Sequence, residues 1–226
     1  MILFQYPKDK HKRSLAPRQF KRYQSYKRYL QTEFERVCVY CRQPDTTSPN
    51  LNFGVDHYRP KGIRRFAHLI CAYENLYYCC GSCNSRKSND WPIDEKRGPN
   101  VVNPCDYEMA AHLRFDSKTG RMEPRSADGQ HTEDLLQLND DESVQFRLTT
   151  LRTVGFYRKE IDQNRRQLAE LEQMLRKKKI NQQDFDAAKL DLDQEWQSLT
   201  ADVATYTGQV ALPALHKQRR GVALLS

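Results

Sequence analysis

The sequence predicts an α+β protein: a small core of two strands and one helix, a basic helical arm ahead of it and a helical hairpin behind it. Three observations predict this. Two Cys-x-x-Cys pairs, Cys38/Cys41 and Cys80/Cys83, bracket a stretch whose apolar runs are strand-sized and turn-bounded. The second pair leads directly into a helix start rich in Asn, Arg and Lys. Beyond Asn139 apolar residues recur every seven positions, the period of helices packed along a seam.

Composition sets the scale. Of 226 residues, 38% are hydrophobic and 29% charged, which suits modest cores and exposed helices better than one large globule. No apolar run approaches the roughly 20 residues that span a bilayer. Met1–Tyr6 is too short an apolar stretch for a signal peptide, and the basic run follows it, so a cytoplasmic protein with no membrane partner is expected. The net charge of +8 is unevenly spread. Residues 1–36 hold ten Lys or Arg and three acids, residues 37–100 nine and six, and residues 101–226 eighteen and twenty. A single basic residue is ordinarily just solvated; a lopsided total beside one motif points to a phosphate-binding face.

In chain order, residues 1–36 comprise a Pro-punctuated basic arm and a helix over Arg18–Arg36. Phe20, Tyr23, Tyr26, Leu30 and Phe34 form that helix's packed stripe, with its cations outward. The core, residues 37–100, begins with a tight knuckle at Val37–Cys41 and a polar loop over Gln43–Asn52. Strands follow at Asn52–His57 and Asn75–Cys79, joined by a loop carrying Arg59, Lys61, Arg64 and Arg65; Gly81 then turns the chain into a helix over Cys83–Asn89. Residues 101–138 read as a linker with a small hairpin at Leu113–Met122.

Residues 139–226 form the helical hairpin. Val154, Ile161, Leu168 and Leu175 make one heptad, with Tyr157, Asn164 and Leu171 at the complementary positions. Phe185, Leu192, Leu199 and Tyr206 make the second, accompanied by Trp196, Val203 and Val210. Asn181 is the N-cap between them, with Asp184 in the first turn, and the hairpin closes before Pro213. The heptads suit both a hairpin folded on itself and a seam offered to a partner chain; Asn164 suits both a register-fixing and a merely tolerated site.

Four thiolates in two such pairs match a tetrahedral structural zinc: Cys38, Cys41, Cys80 and Cys83. Cys79 is the rival ligand, but Cys80 has the two-residue spacing to Cys83; Cys79, Cys71 and Cys105 read as buried small apolar residues. Between the pairs stand Asp56 and His57. A neutral imidazole can take a proton from water, and a carboxylate on the other side of the strand can hold a hard cation. Asn84, one residue past Cys83, is the second oxygen ligand for Mg²⁺ or Mn²⁺, which commonly keeps waters and needs few protein ligands. Arg59, Lys61, Arg86 and Lys87 are candidate phosphate contacts.

The run Cys-x-x-Cys, Asp-His-x-x-Pro-Lys, Asn-Leu, Cys-x-x-Cys-Asn-x-x-Lys resembles the HNH nuclease family with its ββα-metal fold. It lies on Cys38, Cys41, Asp56, His57, Pro60, Lys61, Asn75, Leu76, Cys80, Cys83, Asn84 and Lys87, within about a quarter of the chain. The third signature position, often His in the family, is Asn84 here, as it is Asn in the HNH domain of RNA-guided CRISPR nucleases. The resemblance implies His57 as general base, Asp56 and Asn84 on the catalytic ion, Asn75 orienting the His57 loop, and DNA as substrate, cut to 5′-phosphate and 3′-hydroxyl ends. Val102–Asp106, His112–Phe115 and Leu136–Asn139 ahead of Arg147 are similar to HNH proteins of bacterial anti-phage systems, the Septu type among them. That implies a bacterial cytoplasmic effector whose C-terminal helices dock an ATPase or other sensor. The competing expectation is a non-catalytic zinc module that binds nucleic acid or assembles a complex.

Overall fold

The structure is a computed structural model describing residues 3–47, 52–95, 97–212, 215 and 223–224. Positions 48–51 of the expected polar loop and Pro213, before which the hairpin was expected to close, lie outside the described residues. The described residues are α+β, with three two-stranded antiparallel sheets and two long helices among them. No helix among the described residues is long and apolar enough to cross a membrane.

The N-terminal segment is irregular, as expected, but it is not a free arm. Phe4 packs its ring edge-on to Phe115 and Phe146, Tyr6 donates its hydroxyl to the Tyr40 carbonyl, and Leu15 is buried. A two-residue strand β1, Leu15–Ala16, pairs with β6, Ala223–Leu224. The helix expected over Arg18–Arg36 shrinks to a 3₁₀ turn, Tyr23–Tyr26, and the short helix α1, Lys27–Glu33. Arg22 is extended (φ −123°, ψ 121°), and the Phe20 N–H bonds the Tyr26 hydroxyl instead of a helical carbonyl. Glu35 and Arg36 then take positive φ and end α1. The aromatic stripe does pack: Tyr26, Leu30 and Phe34 are buried.

Strands β2 (Phe53–His57) and β3 (Leu76–Cys80) pair in the register Phe53↔Cys80 to His57↔Leu76. Helix α2, Gly81–Lys87, follows β3 without an intervening residue, and Ser88 (φ 45°) stops it. All five residues of β3 are buried, with α1 and α2 both packed against the strand and the Tyr77 ring against Phe34. Trp91, beyond this helix, packs between Tyr58 and Phe66.

The segment read as a linker is part of the same core. After the short turn of helix α3, Met109–His112, come β4 (Leu113–Asp116), β5 (Arg121–Pro124) and a helix the sequence did not suggest, α4 (Ala127–Leu136). Ser126 caps α4 by accepting from the Gly129 N–H, and a side chain at Gly129 would meet the His112 carbonyl at 2.0 Å. Leu113, Met122, Leu136 and Leu138 join the buried cluster that begins at Leu3 and ends at Val154.

Helices α5 (Asp141–Arg176) and α6 (Gln182–Thr207) form the hairpin, and α5 alone is about 54 Å long at 1.5 Å per residue. They fold on each other along the two heptads, whose members are buried or half-buried, whereas Trp196 and Val210 are exposed and lie off that seam. Asn164 is buried in the seam and donates to the Leu192 carbonyl (2.9 Å) and Glu195 (3.2 Å). Asn181 caps α6 through the Asp184 N–H. Both ends land on the core. Arg147 in α5 donates to the carbonyls of Gly120 and Leu138, and Thr46 donates to the Thr205 carbonyl near the end of α6.

Candidate metal centre and adjoining cleft

Cys38, Cys41, Cys80 and Cys83 bring their sulfurs within 4.8 Å of one another, and Cys41 Sγ lies 3.7 Å from Cys80 Sγ. Tetrahedral coordination at a Zn–S distance of about 2.3 Å puts sulfurs roughly 3.8 Å apart, so the four thiols fit a zinc ion. Two tight turns produce this. In the first, Cys38 N–H bonds the Gln43 carbonyl, Arg42 N–H bonds the Cys38 carbonyl, and Arg42 takes φ 60°. In the second, Cys80 Sγ accepts the Cys83 N–H and caps α2. Cys79 stays out of the set: it is buried opposite Gly54, and its thiol donates to the Cys80 carbonyl. A metal here would tie the knuckle before β2 to the strand–helix junction after β3.

Beside this centre lies a cleft of about 430 Å³ bordered by Asp56, His57, Asn84, Lys61 and Tyr23. The end of β2 supplies the first two and the second turn of α2 the third. His57 Nε2 sits 3.0 Å from the Ile70 carbonyl. A carbonyl only accepts, so Nε2 carries the proton and Nδ1 the lone pair. Burial lowers the His57 pKa, with Lys61 and Lys87 adding to it against the Ile70 carbonyl and Asp56, so the ring is neutral at pH 7. Asn75 is buried; it accepts the Arg59 N–H and donates to the Arg59 and Leu69 carbonyls, which holds the chain immediately after His57.

Strand alternation aims Asp56 away from the His57 contacts, although both residues border the cleft. Its Oδ2 accepts the Tyr40 hydroxyl at 2.6 Å and its Oδ1 lies 3.3 Å from Lys87 Nζ. Burial first, and then the Asp56 charge, push the Tyr40 phenol well above its usual range, so it stays a donor. Each carboxylate oxygen keeps a further lone pair. Asn84 borders the same cleft, and the Tyr40 hydroxyl and Lys87 ammonium already occupy one site on each Asp56 oxygen.

Of the four expected phosphate contacts, Lys61 alone is an exposed side chain bordering the cleft. Lys87 is corrected: it is 1% exposed, bonded to Asp56 and to the His57 carbonyl, and serves as an internal counter-charge. Arg86 is committed to Asp140 and to the carbonyls of Leu136 and Gln137, tying α2 to the α4–α5 junction. Arg59 lies over Trp91 and 3.5 Å from Glu95 at the cleft's margin. Two neighbours were missed. Tyr40 stands inside the Cys-x-x-Cys turn, which gave it a signal; Tyr23 reaches the His57 ring from the N-terminal segment, where sequence distance hid it. Compared with family models, curated proteins and solved structures, the chain matches none.

Proposed function

We propose that the protein is a divalent-metal-dependent endonuclease of the HNH type that hydrolyses DNA phosphodiester bonds. The carrying observation is His57: a neutral imidazole, its Nε2 anchored on the Ile70 carbonyl, in a cleft it shares with Asp56 and Asn84. In this reading His57 Nδ1 takes the proton from an attacking water while Asn75 keeps the ring's loop in place. Asp56 and Asn84 would hold Mg²⁺ or Mn²⁺, which would supply charge neutralisation at the phosphate and the leaving oxygen. The four cysteines hold zinc and fix the helix that presents Asn84. The motif's resemblance to anti-phage HNH proteins extends the reading to a bacterial cytoplasmic defence effector. The exposed Phe156, Leu190 and Trp196 on the hairpin support a partner ATPase or sensor docking there.

The Lys87 ammonium and Tyr40 hydroxyl on Asp56 favour a second reading, because they satisfy that carboxylate without a metal. On that reading the chain is a non-catalytic zinc module that binds nucleic acid or assembles a complex. Supercoiled plasmid and RNA, incubated with zinc-loaded protein and Mg²⁺ or Mn²⁺, separate the two. Nicked or linear plasmid that vanishes in His57→Ala and in EDTA is the expected result. Folded protein that binds plasmid yet leaves it intact, with its partner present, sinks the enzyme reading and leaves the second.

A further inference from the structure

Two stretches of the chain contain no acidic residue at all: 10–32, with eight Lys or Arg, and 57–73, with four. They are far apart in sequence and the fold brings them together. The Tyr23 ring meets the His57 ring edge-on at 4.6 Å, Lys61 Nζ donates to the Tyr23 hydroxyl at 2.9 Å, and the Cys71 thiol donates to the Lys21 carbonyl. Tyr23, from a segment outside the strand–strand–helix core, therefore lines the cleft with Lys61, and the neighbouring Lys21, Arg22 and Arg64 of these two stretches are exposed.

Tyr23 is placed as more than a packing residue. Its hydroxyl accepts from Lys61, so its own proton is left to donate, and the Lys61 ammonium retains further donors. A phenolic O–H and an ammonium held together beside the His57 ring make a site for a singly charged oxyanion. The cleft's one carboxylate, Asp56, is already offset by Lys87. A phosphodiester has the matching chemistry: its non-bridging oxygens accept both donors, and the acid-free stretches receive the phosphates on either side.

We propose that Tyr23 and Lys61 together grip the backbone phosphate presented to His57, so that the N-terminal segment completes the substrate site. This rests on the nuclease reading for the meaning of the cleft, although the binding itself is measurable without cleavage. Tyr23→Phe keeps the ring against His57 and deletes only the hydroxyl.

The test is fluorescence anisotropy of a short labelled DNA duplex with the full chain in Ca²⁺, across a salt series, for wild type, Tyr23→Phe, Lys61→Met and the double variant. Tyr23→Phe is expected to weaken binding about tenfold with the salt slope unchanged. Lys61→Met is expected to weaken it and lower the slope by about one, the signature of a single lost phosphate contact. The double variant should lose less than the product of the two, because the residues act as a pair. Wild-type affinity in Tyr23→Phe overturns the proposal, as does an affinity loss that tracks a fall in its melting temperature. A wild type that never cleaves but binds DNA through Tyr23 fails the nuclease reading alone. An active wild type whose DNA affinity ignores Tyr23→Phe fails this proposal alone.

Discussion

At the scale of single residues, buried charge is compensated with care. Glu33 has a fully buried carboxylate that accepts from His11, from the Ser14 N–H and hydroxyl, from the Leu15 N–H and from the Tyr73 hydroxyl. Burial opposes its ionisation, but these donors outweigh it and hold the pKa at about 2 against an ordinary 4.5. A depressed folded-state pKa contributes stability that is complete above 4.5 and is lost as the pH falls towards 2. The shift corresponds to roughly 3 kcal/mol. Denaturant titrations should therefore show wild type weakening through that window, while Glu33→Gln starts less stable and stays flatter. His57 gives a second pH test. Since its pKa lies below 6.5, cleavage should be at its plateau at neutral pH and fall only on acidification below that value. A rate still climbing above neutrality would remove His57 as the base.

At the scale of elements, the hairpin carries a buried polar residue, Asn164, whose role a single substitution tests. Heptads alone leave α5 and α6 free to slide by one repeat, since each step restores apolar contact. The Asn164 amide donates to the backbone carbonyl at Leu192 and to Glu195, and a one-repeat slide would replace Glu195 by the shorter Asp202 or by Ala188. Asn164→Ala should cost about 1–2 kcal/mol, because it removes these bonds at a buried position. Thermal melting checks the cost, and unchanged melting would make Asn164 a tolerated polar site. At the other end, α2 is fixed from three sides: Cys80 caps it, Lys87 pairs with Asp56, and Arg86 reaches Asp140. That is why two of its cations are unavailable to a ligand.

At the scale of the whole molecule, the thiol cluster is the hub. It joins the knuckle before β2 to the β3–α2 junction, and α4, α5 and the N-terminal segment all pack around that unit. Metal analysis should return one zinc per chain. Stripping it should collapse the aromatic near-UV dichroism, which reports the tyrosine-rich core, while much of the far-UV helical signal survives in α5 and α6. Cys38→Ser should do the same. A metal-free chain that melts like the native one would show the four thiols to be packing residues only.

What the sequence by itself determined is whatever depends on short-range geometry. Cys-x-x-Cys spacing is set by one turn, Asn181 acts three residues away, the Leu113–Met122 hairpin closes on its own turn, and the heptads are periodic over one helix each. Those readings recur in the structure, as do the strands to within a residue. Only the tertiary structure decided which polar side chains were already spoken for. Lys87 and Asp56 are 31 residues apart, Arg86 and the Leu136 carbonyl 50, Lys61 and the Tyr23 hydroxyl 38. A lysine in a motif looks the same whether its ammonium faces water or a buried carboxylate, because nothing local distinguishes the two. The α4 helix and the burial of the N-terminal segment were hidden for the same reason: packing against distant residues, not local periodicity, stabilises them.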